Sequence, residues 1–313
     1  MIKAAAFRLL SSLGVVLGSS MLVFCILYVL PGDVVMNMID PSAMSPEAIA
    51  NLRRQLGVDR PFYEQFIQYF SHVLQGDFGK SLVNSDPVLP KILTHFPATL
   101  LLTASASMVS IAVGVVLGVL SAIHRNKTID IVARIVGLFG ISMPTFWSGI
   151  LLILIFSVSL GWLPAMGSDG PETVVLPALT LGMLGAGFIV RMVRNSMLEV
   201  LGEPFIVTLR AKGLRERAVM YRHALRNALI PAVTMMGILI GEMLAGTVVI
   251  ETVFSRQGIG RIISDAIMAK DLPVVQGVIL FTAIVYVIVN ALVDISYAYI
   301  DPRVRRIQRV GGN

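Results

Sequence analysis

The sequence predicts an all-α membrane protein of six transmembrane helices. Three observations carry that expectation. Only 14% of the 313 residues are charged, where a soluble domain carries roughly 25%. The mean hydropathy is +0.81, and the apolar residues fall in long uncharged runs that a soluble core does not need. Six such runs, at about 9–30, 99–123, 135–160, 173–190, 228–250 and 272–293, suit a bilayer crossing, which takes about 20 apolar residues.

The first run follows Lys3 and Arg8, as the core of a signal peptide would. It is long for the ~7–15 residues of such a core and no A-x-A-type site follows it, so an uncleaved first helix fits better. It contains Cys25, the chain's one cysteine, which cannot close an internal disulfide. The stretch 31–98 is too long for a plain connector. With Pro61, Tyr63, Phe66, Tyr69 and Phe70 close together, it reads as a small helical scoop on the membrane face.

The second run has no charge at all. The third holds Pro144, read as a kink whose freed carbonyl is satisfied by neighbours, or more sharply as a hinge. Trp147 and Trp162 suit packing or interface anchoring. The fourth run is the shortest and begins with the helix-bending Pro177. The segment 191–227 is strongly basic, and its apolar residues Phe205, Ile206, Leu209, Val219 and Leu225 recur at roughly helical spacing. It predicts one or two short helices lying along the membrane surface. In the fifth run only Glu242 interrupts the apolar sequence. An intramembrane carboxylate should face the bundle interior, a water-filled cavity or a partner subunit rather than lipid. Gly237, Gly241 and Gly246 beside it admit a close neighbour.

Basic residues set the orientation. With both termini in the cytoplasm, 17 of the 25 lysines and arginines fall inside, and five of the remaining eight sit in the long first loop, which counts for little. The formal charge of +6 is thus a signature of topology and gives no reason to expect nucleic acid. No Walker-type phosphate loop appears, so the chain should not hydrolyse ATP. No H-E-x-x-H or C-x-x-C appears, and His72, His95, His124 and His223 are scattered among different loops. No catalytic residue, metal site or cofactor is expected. Ser142 and Ser148 lack a partner base, which argues against an intramembrane protease.

The run from Phe205 to Pro231, with Leu209-Arg-Ala-Lys-Gly213 near its start, resembles the coupling segment of the dipeptide/oligopeptide permease family of ABC importers. Nickel and glutathione permeases are related members. Further matches run along the chain in order: Leu30-Pro-Gly-Asp33, Gln55 to Tyr63, Gly76 to Leu82, Ile141 to Trp147, Gly161-Trp-Leu-Pro164, Ile250 to Arg261, Lys270 to Gln276 and Asp301 to Arg305. There are departures. Leu209 replaces the family's usual alanine, and Val207-Thr-Leu209 does not match the general importer signature. Arg256 and Gln257 stand where an aromatic residue and a proline are usual.

The resemblance implies the fold of a type I importer permease, with residues 1–30 as the first transmembrane helix and 31–98 as a periplasmic scoop. It implies a permease core over 99–300 with its coupling segment at 196–227, and a basic cytoplasmic tail at 301–313. Phe205, Leu209, Arg210, Ala211, Lys212 and Gly213 would then dock on an ATPase. The apolar side chains, Ile206 among them, would fill a pocket, Arg210 and Lys212 would pair at its rim, and Gly213 would end the helix. Glu242 and Pro144 become candidate pathway residues, Glu242 as a transient partner for a cationic cargo group or as a bond to the partner permease. The implied partners are a second permease in a heterodimer, two ATP-binding subunits, an extracytoplasmic solute-binding protein and the lipid of a bacterial inner membrane. The expected function is import of di- or oligopeptides, with nickel, a metal chelate or glutathione as the alternative cargo. A membrane scaffold with no conduit is the remote alternative, and the intramembrane Glu242 argues against it.

Overall fold

A computed structural model describes residues 2–29, 45–56 and 59–300. The Leu30-Pro-Gly-Asp33 motif, Gly57 and Val58 of the Gln55–Tyr63 run, the Asp301–Arg305 motif and the basic tail lie outside the described residues. The described chain is helical almost throughout. The helices are α1 (Ile2–Val29), α2 (Pro46–Leu56), α3 (Phe62–Leu74), α4 (Val88–Ile123), α5 (Thr128–Ser142), α6 (Thr145–Ser159), α7 (Glu172–Leu201), α8 (Pro204–Ala211), α9 (Glu216–Val253), α10 (Ile259–Met268) and α11 (Leu272–Ile300). The last seven residues of α6 and the stretch Val219–Ala224 of α9 are wound as π-helix.

Four of these, α4, α7, α9 and the Leu272–Val293 part of α11, are long and apolar enough to cross a membrane. They cover the second, fourth, fifth and sixth predicted runs. The third run differs from expectation. It is two helices, α5 and α6, meeting at 112°. The cause is local. A residue before proline is pushed out of the helical region, and Met143 is extended at φ −84°, ψ 132°. Pro144 then starts a new helix instead of kinking an old one, its carbonyl accepting from the N–H groups of Trp147 and Ser148 at 3.0 and 3.1 Å. Counted together the pair makes a fifth span. The first run falls in α1, where the described apolar stretch is Leu13–Ile26, shorter than a full crossing.

The chain forms two compact units, one from the residues up to Pro97 with Gly258–Val287, the other from Ala98–Gln257 with the residues from Ile288 onward. In the first, α3 lays an aromatic face on α1. Phe62 and Phe66 meet Phe24 edge-on at centroid distances of 5.2 and 5.5 Å, and Tyr28 meets Phe62 at 5.0 Å. Burial there pushes the Tyr69 phenol up to about 12. A second apolar cluster joins Phe78, Val88 and Ile92 to Ile259, Val274 and Val278. Beside it the Ser81 hydroxyl donates to the buried Asp271 carboxylate, which also accepts the Leu82 N–H at 3.0 Å.

The second unit is organised around α7. Its most apolar stretch is 72% buried, the highest of the four long spans. Small residues allow this. A side chain at Gly114 of α4 would meet Ile189 at 2.5 Å, and one at Gly187 of α7 would meet the Gly137 carbonyl of α5 at 2.3 Å. Backbone therefore touches backbone where these helices cross, the packing favoured between helices in lipid.

Candidate functional site

The predicted surface helix is α8, which follows α7 after Gly202 and Glu203. Pro204 opens it, a position where a missing N–H costs nothing, and Gly213 closes it. Gly213 has φ +79°, its N–H donates to the Arg210 carbonyl at 2.9 Å, and the Leu214 N–H donates to the Leu209 carbonyl at 3.3 Å. Those two bonds are the paired closure of a Schellman motif, and Leu209 and Leu214 are the apolar pair that accompanies it. Both lean on the same core cluster.

That packing corrects the expected division of labour. Ile206 is fully buried in its own chain, in a cluster with Met197, Val219 and Ala224, and Leu209 is half-buried against it. These side chains anchor the knob and are not free to fill a partner's pocket. The apolar surface that α8 offers outward is Phe205, 40% exposed, and Val207, 61% exposed. Arg210 is also committed. Its guanidinium grips the Glu216 carboxylate through two bonds, at 2.6 and 3.1 Å, and this pairing raises the arginine above its already high range. Ala211, Lys212 and Gly213 are exposed.

Glu242 lies on the exposed side of α9, while Gly237 and Gly241 face inward. This chain does not bury its carboxylate. The structure brings neither Glu242 nor Pro144 onto the α8 surface.

Two buried charge clusters were not predicted. The first is at the far end of α9. Glu251 is fully buried and accepts the Thr99 hydroxyl at 2.6 Å. Arg256, 2% exposed, donates to Thr173 Oγ1 at 3.2 Å, and its backbone N–H donates to the Glu251 carbonyl at 2.8 Å. Burial pushes the Arg256 guanidinium down and the Glu251 carboxylate pulls it back. The second is centred on Asp130, also fully buried. Arg194 grips both its oxygens at 2.8 and 3.0 Å, the Ser121 hydroxyl donates at 2.6 Å and the Asn126 N–H at 2.9 Å. This cluster ties the end of α4, the start of α5 and the last part of α7 together. The available signal was an acid just past the end of one run, Glu251, and another just ahead of a run, Asp130, each with an arginine near it in space.

The described residues form a bundle of long apolar helices that carries a stiff surface knob. Residues 114–306 match the family described as "Binding-protein-dependent transport system inner membrane component", and residues 1–103 match its N-terminal companion. The chain belongs to this family of ABC importer permeases, in its peptide, nickel and glutathione branch. Over 298 residues it is 42% identical to the glutathione transport system permease protein GsiC of Salmonella choleraesuis (strain SC-B67), covering 95% of this chain and 97% of that one. Its counterpart in Escherichia coli (strain K12) is 41% identical over the same length. Among solved structures, the inward-facing MetNI methionine ABC transporter superposes with a TM-score of 0.60 at 21% identity, over 69% of this chain and 99% of that one. That likeness is one of fold.

Proposed function

We propose that this permease imports glutathione, forming half of a translocation path whose other half is a second permease in a heterodimer. The observation that carries the cargo is the 42% identity, across 95% of the chain, to permeases named for glutathione transport. Glutathione is a tripeptide with a free γ-glutamyl amine, and it is the alternative cargo of the sequence reading, favoured here over the di- or oligopeptides named first. Glu242, exposed and the one charged residue between Arg226 and Glu251 of α9, would pair transiently with that ammonium. The corner at Pro144 would serve as a hinge for alternating access. Two ATP-binding subunits would supply the energy by docking on Phe205, Val207 and Lys212 of α8. A solute-binding protein would deliver cargo on the opposite face. The bias of arginine and lysine supports cytoplasmic termini and a periplasmic scoop at 31–98.

The test is uptake of labelled glutathione by cells with and without this chain. Uptake should depend on the chain, and a tenfold excess of an unrelated dipeptide should not compete. If the dipeptide blocks uptake, or if deletion abolishes dipeptide import and leaves glutathione import intact, the cargo is the broader peptide class and the glutathione reading is wrong.

A further inference from the structure

A groove of about 370 Å³ runs along the crossing of α5 and α7, within the size range of sites for small ligands. Its register follows from two contacts already described. Asp130 lies beside Arg194 and Gly137 beside Gly187, so the helices are antiparallel. The groove is therefore graded. Arg134, Arg191 and Arg194 line one end together with Val190, and Leu138 and Ile141 line it beyond the glycine crossing. From Arg134 to Ile141 the rise is roughly 10 Å, at 1.5 Å per residue.

Charge at the polar end is unbalanced. Asp130 lies beneath it, and its oxygens are taken by Arg194, Ser121 and Asn126. Arg134 touches that carboxylate only at 3.4 Å and keeps half its side chain exposed. Arg191 has no ion-pair partner among the described residues and rests over the Phe188 ring. Three cations thus face one anion. The outer face of α5 around the groove is apolar and open, with Ile131, Val132, Ile135 and Phe139 all exposed. Such a face suits acyl chains, whereas a docked protein would need polar complements at its rim.

We propose that this groove holds an anionic phospholipid, its phosphate between Arg134 and Arg191 and the top of an acyl chain along Leu138 and Ile141. The occupant is a lipid because the site is amphipathic along its length. It is an anionic lipid because three guanidinium groups share one carboxylate, an excess of two positive charges. Bound there, the lipid would sit across the joint between α5 and α7 whose inner side is the Asp130–Arg194 pair.

The protein, purified in mild detergent with the subunits that accompany it, is titrated with phosphatidylglycerol or phosphatidylcholine of matched chains and read by native mass spectrometry. One phosphatidylglycerol per copy of this chain should be retained, and phosphatidylcholine should not. Arg134→Gln with Arg191→Gln should weaken retention roughly thirty-fold, which is about 2 kcal/mol at 1.4 kcal/mol per tenfold, while the double lysine variant stays within about threefold of wild type. Leu138→Trp, which plugs the acyl end and leaves the arginines in place, should also lose the lipid and serves if the glutamine variant does not assemble. Equal retention of the two lipids, or unchanged retention in both the glutamine and tryptophan variants, overturns the proposal. Displacement of the lipid by free inorganic phosphate at equal concentration would show a simple anion site and overturn the lipid assignment.

Discussion

Arg194→Met removes one partner of a fully buried carboxylate and leaves the other in place. In the native chain Asp130 is shielded from solvent and receives two bonds from Arg194, one from Ser121 and one from Asn126. The variant loses both charge-assisted bonds and leaves the buried carboxylate with only the Ser121 and Asn126 bonds and the longer 3.4 Å contact to Arg134. Stranding a buried charge in this way costs about 3–5 kcal/mol. For a chain of this length a kcal/mol corresponds to about 2 °C in melting temperature, so the midpoint should fall by about 6–10 °C. Thermal unfolding of the detergent-solubilised protein, followed by intrinsic fluorescence, measures it. The double variant Asp130→Asn, Arg194→Met removes the stranded charge and should recover more than half of the loss. The cycle separates this cause from general damage to α7. A drop of less than 2 °C for Arg194→Met, or additive losses in the double variant, would show that the pair is not the joint described above.

Three further outcomes are expected. Gly187→Val brings a side chain onto the Gly137 carbonyl, 2.3 Å from the position of its first carbon. The α5–α7 crossing must part, at a cost of about 1–3 kcal/mol, seen as a lower midpoint and lower yield of folded protein. Gly213→Val forces a branched residue into φ +79°, which costs about 1–3 kcal/mol locally; ATPase stimulation by loaded binding protein should drop severalfold while membrane insertion persists, and Gly213→Asn should be milder. In a Cys25→Ser background, a cysteine at Ser45 should react with an impermeant thiol reagent in intact cells and one at Gln308 should not, and the reverse pattern would invert the topology.

The long spans were legible because periodicity and charge are local. Thr99–Ile123 carries no charge and becomes most of α4, and the run around Glu242 becomes α9. The end of the knob was legible for the same reason, since a glycine at Gly213 and apolar residues at Leu209 and Leu214 are the local chemistry of a helix stop. Direction was harder. Nothing near Ile206 in the sequence says that it points into Met197 and Val219 while Val207 points out, because that depends on how α8 folds back beside α7. The break at Met143 rests on a known proline effect, yet composition alone allowed one bent span as easily as two helices at 112°. The charge clusters were least accessible. Thr99 and Glu251 are 152 positions apart, Asp130 and Arg194 are 64 apart, and each residue alone looks like an ordinary polar residue near the edge of a span.

The two-residue link between α7 and α8 has a mechanical consequence. Gly202 and Glu203 are both tied back to the last turn of α7, their N–H groups donating to the carbonyls of Glu199 and Val200 at 3.0 and 3.1 Å. The knob is therefore not a tethered bead but the handle of a lever. The shaft is the 30-residue α7, about 45 Å long at 1.5 Å per residue, so a turn of roughly 10° at the handle sweeps the far tip by about 8 Å. Gly114 and Gly118 of α4 pack so tightly on that shaft that an added carbon would strike Ile189 and Val193, and Gly187 of the shaft packs as tightly on the Gly137 carbonyl of α5, so a stroke applied at α8 carries the neighbouring helices with it.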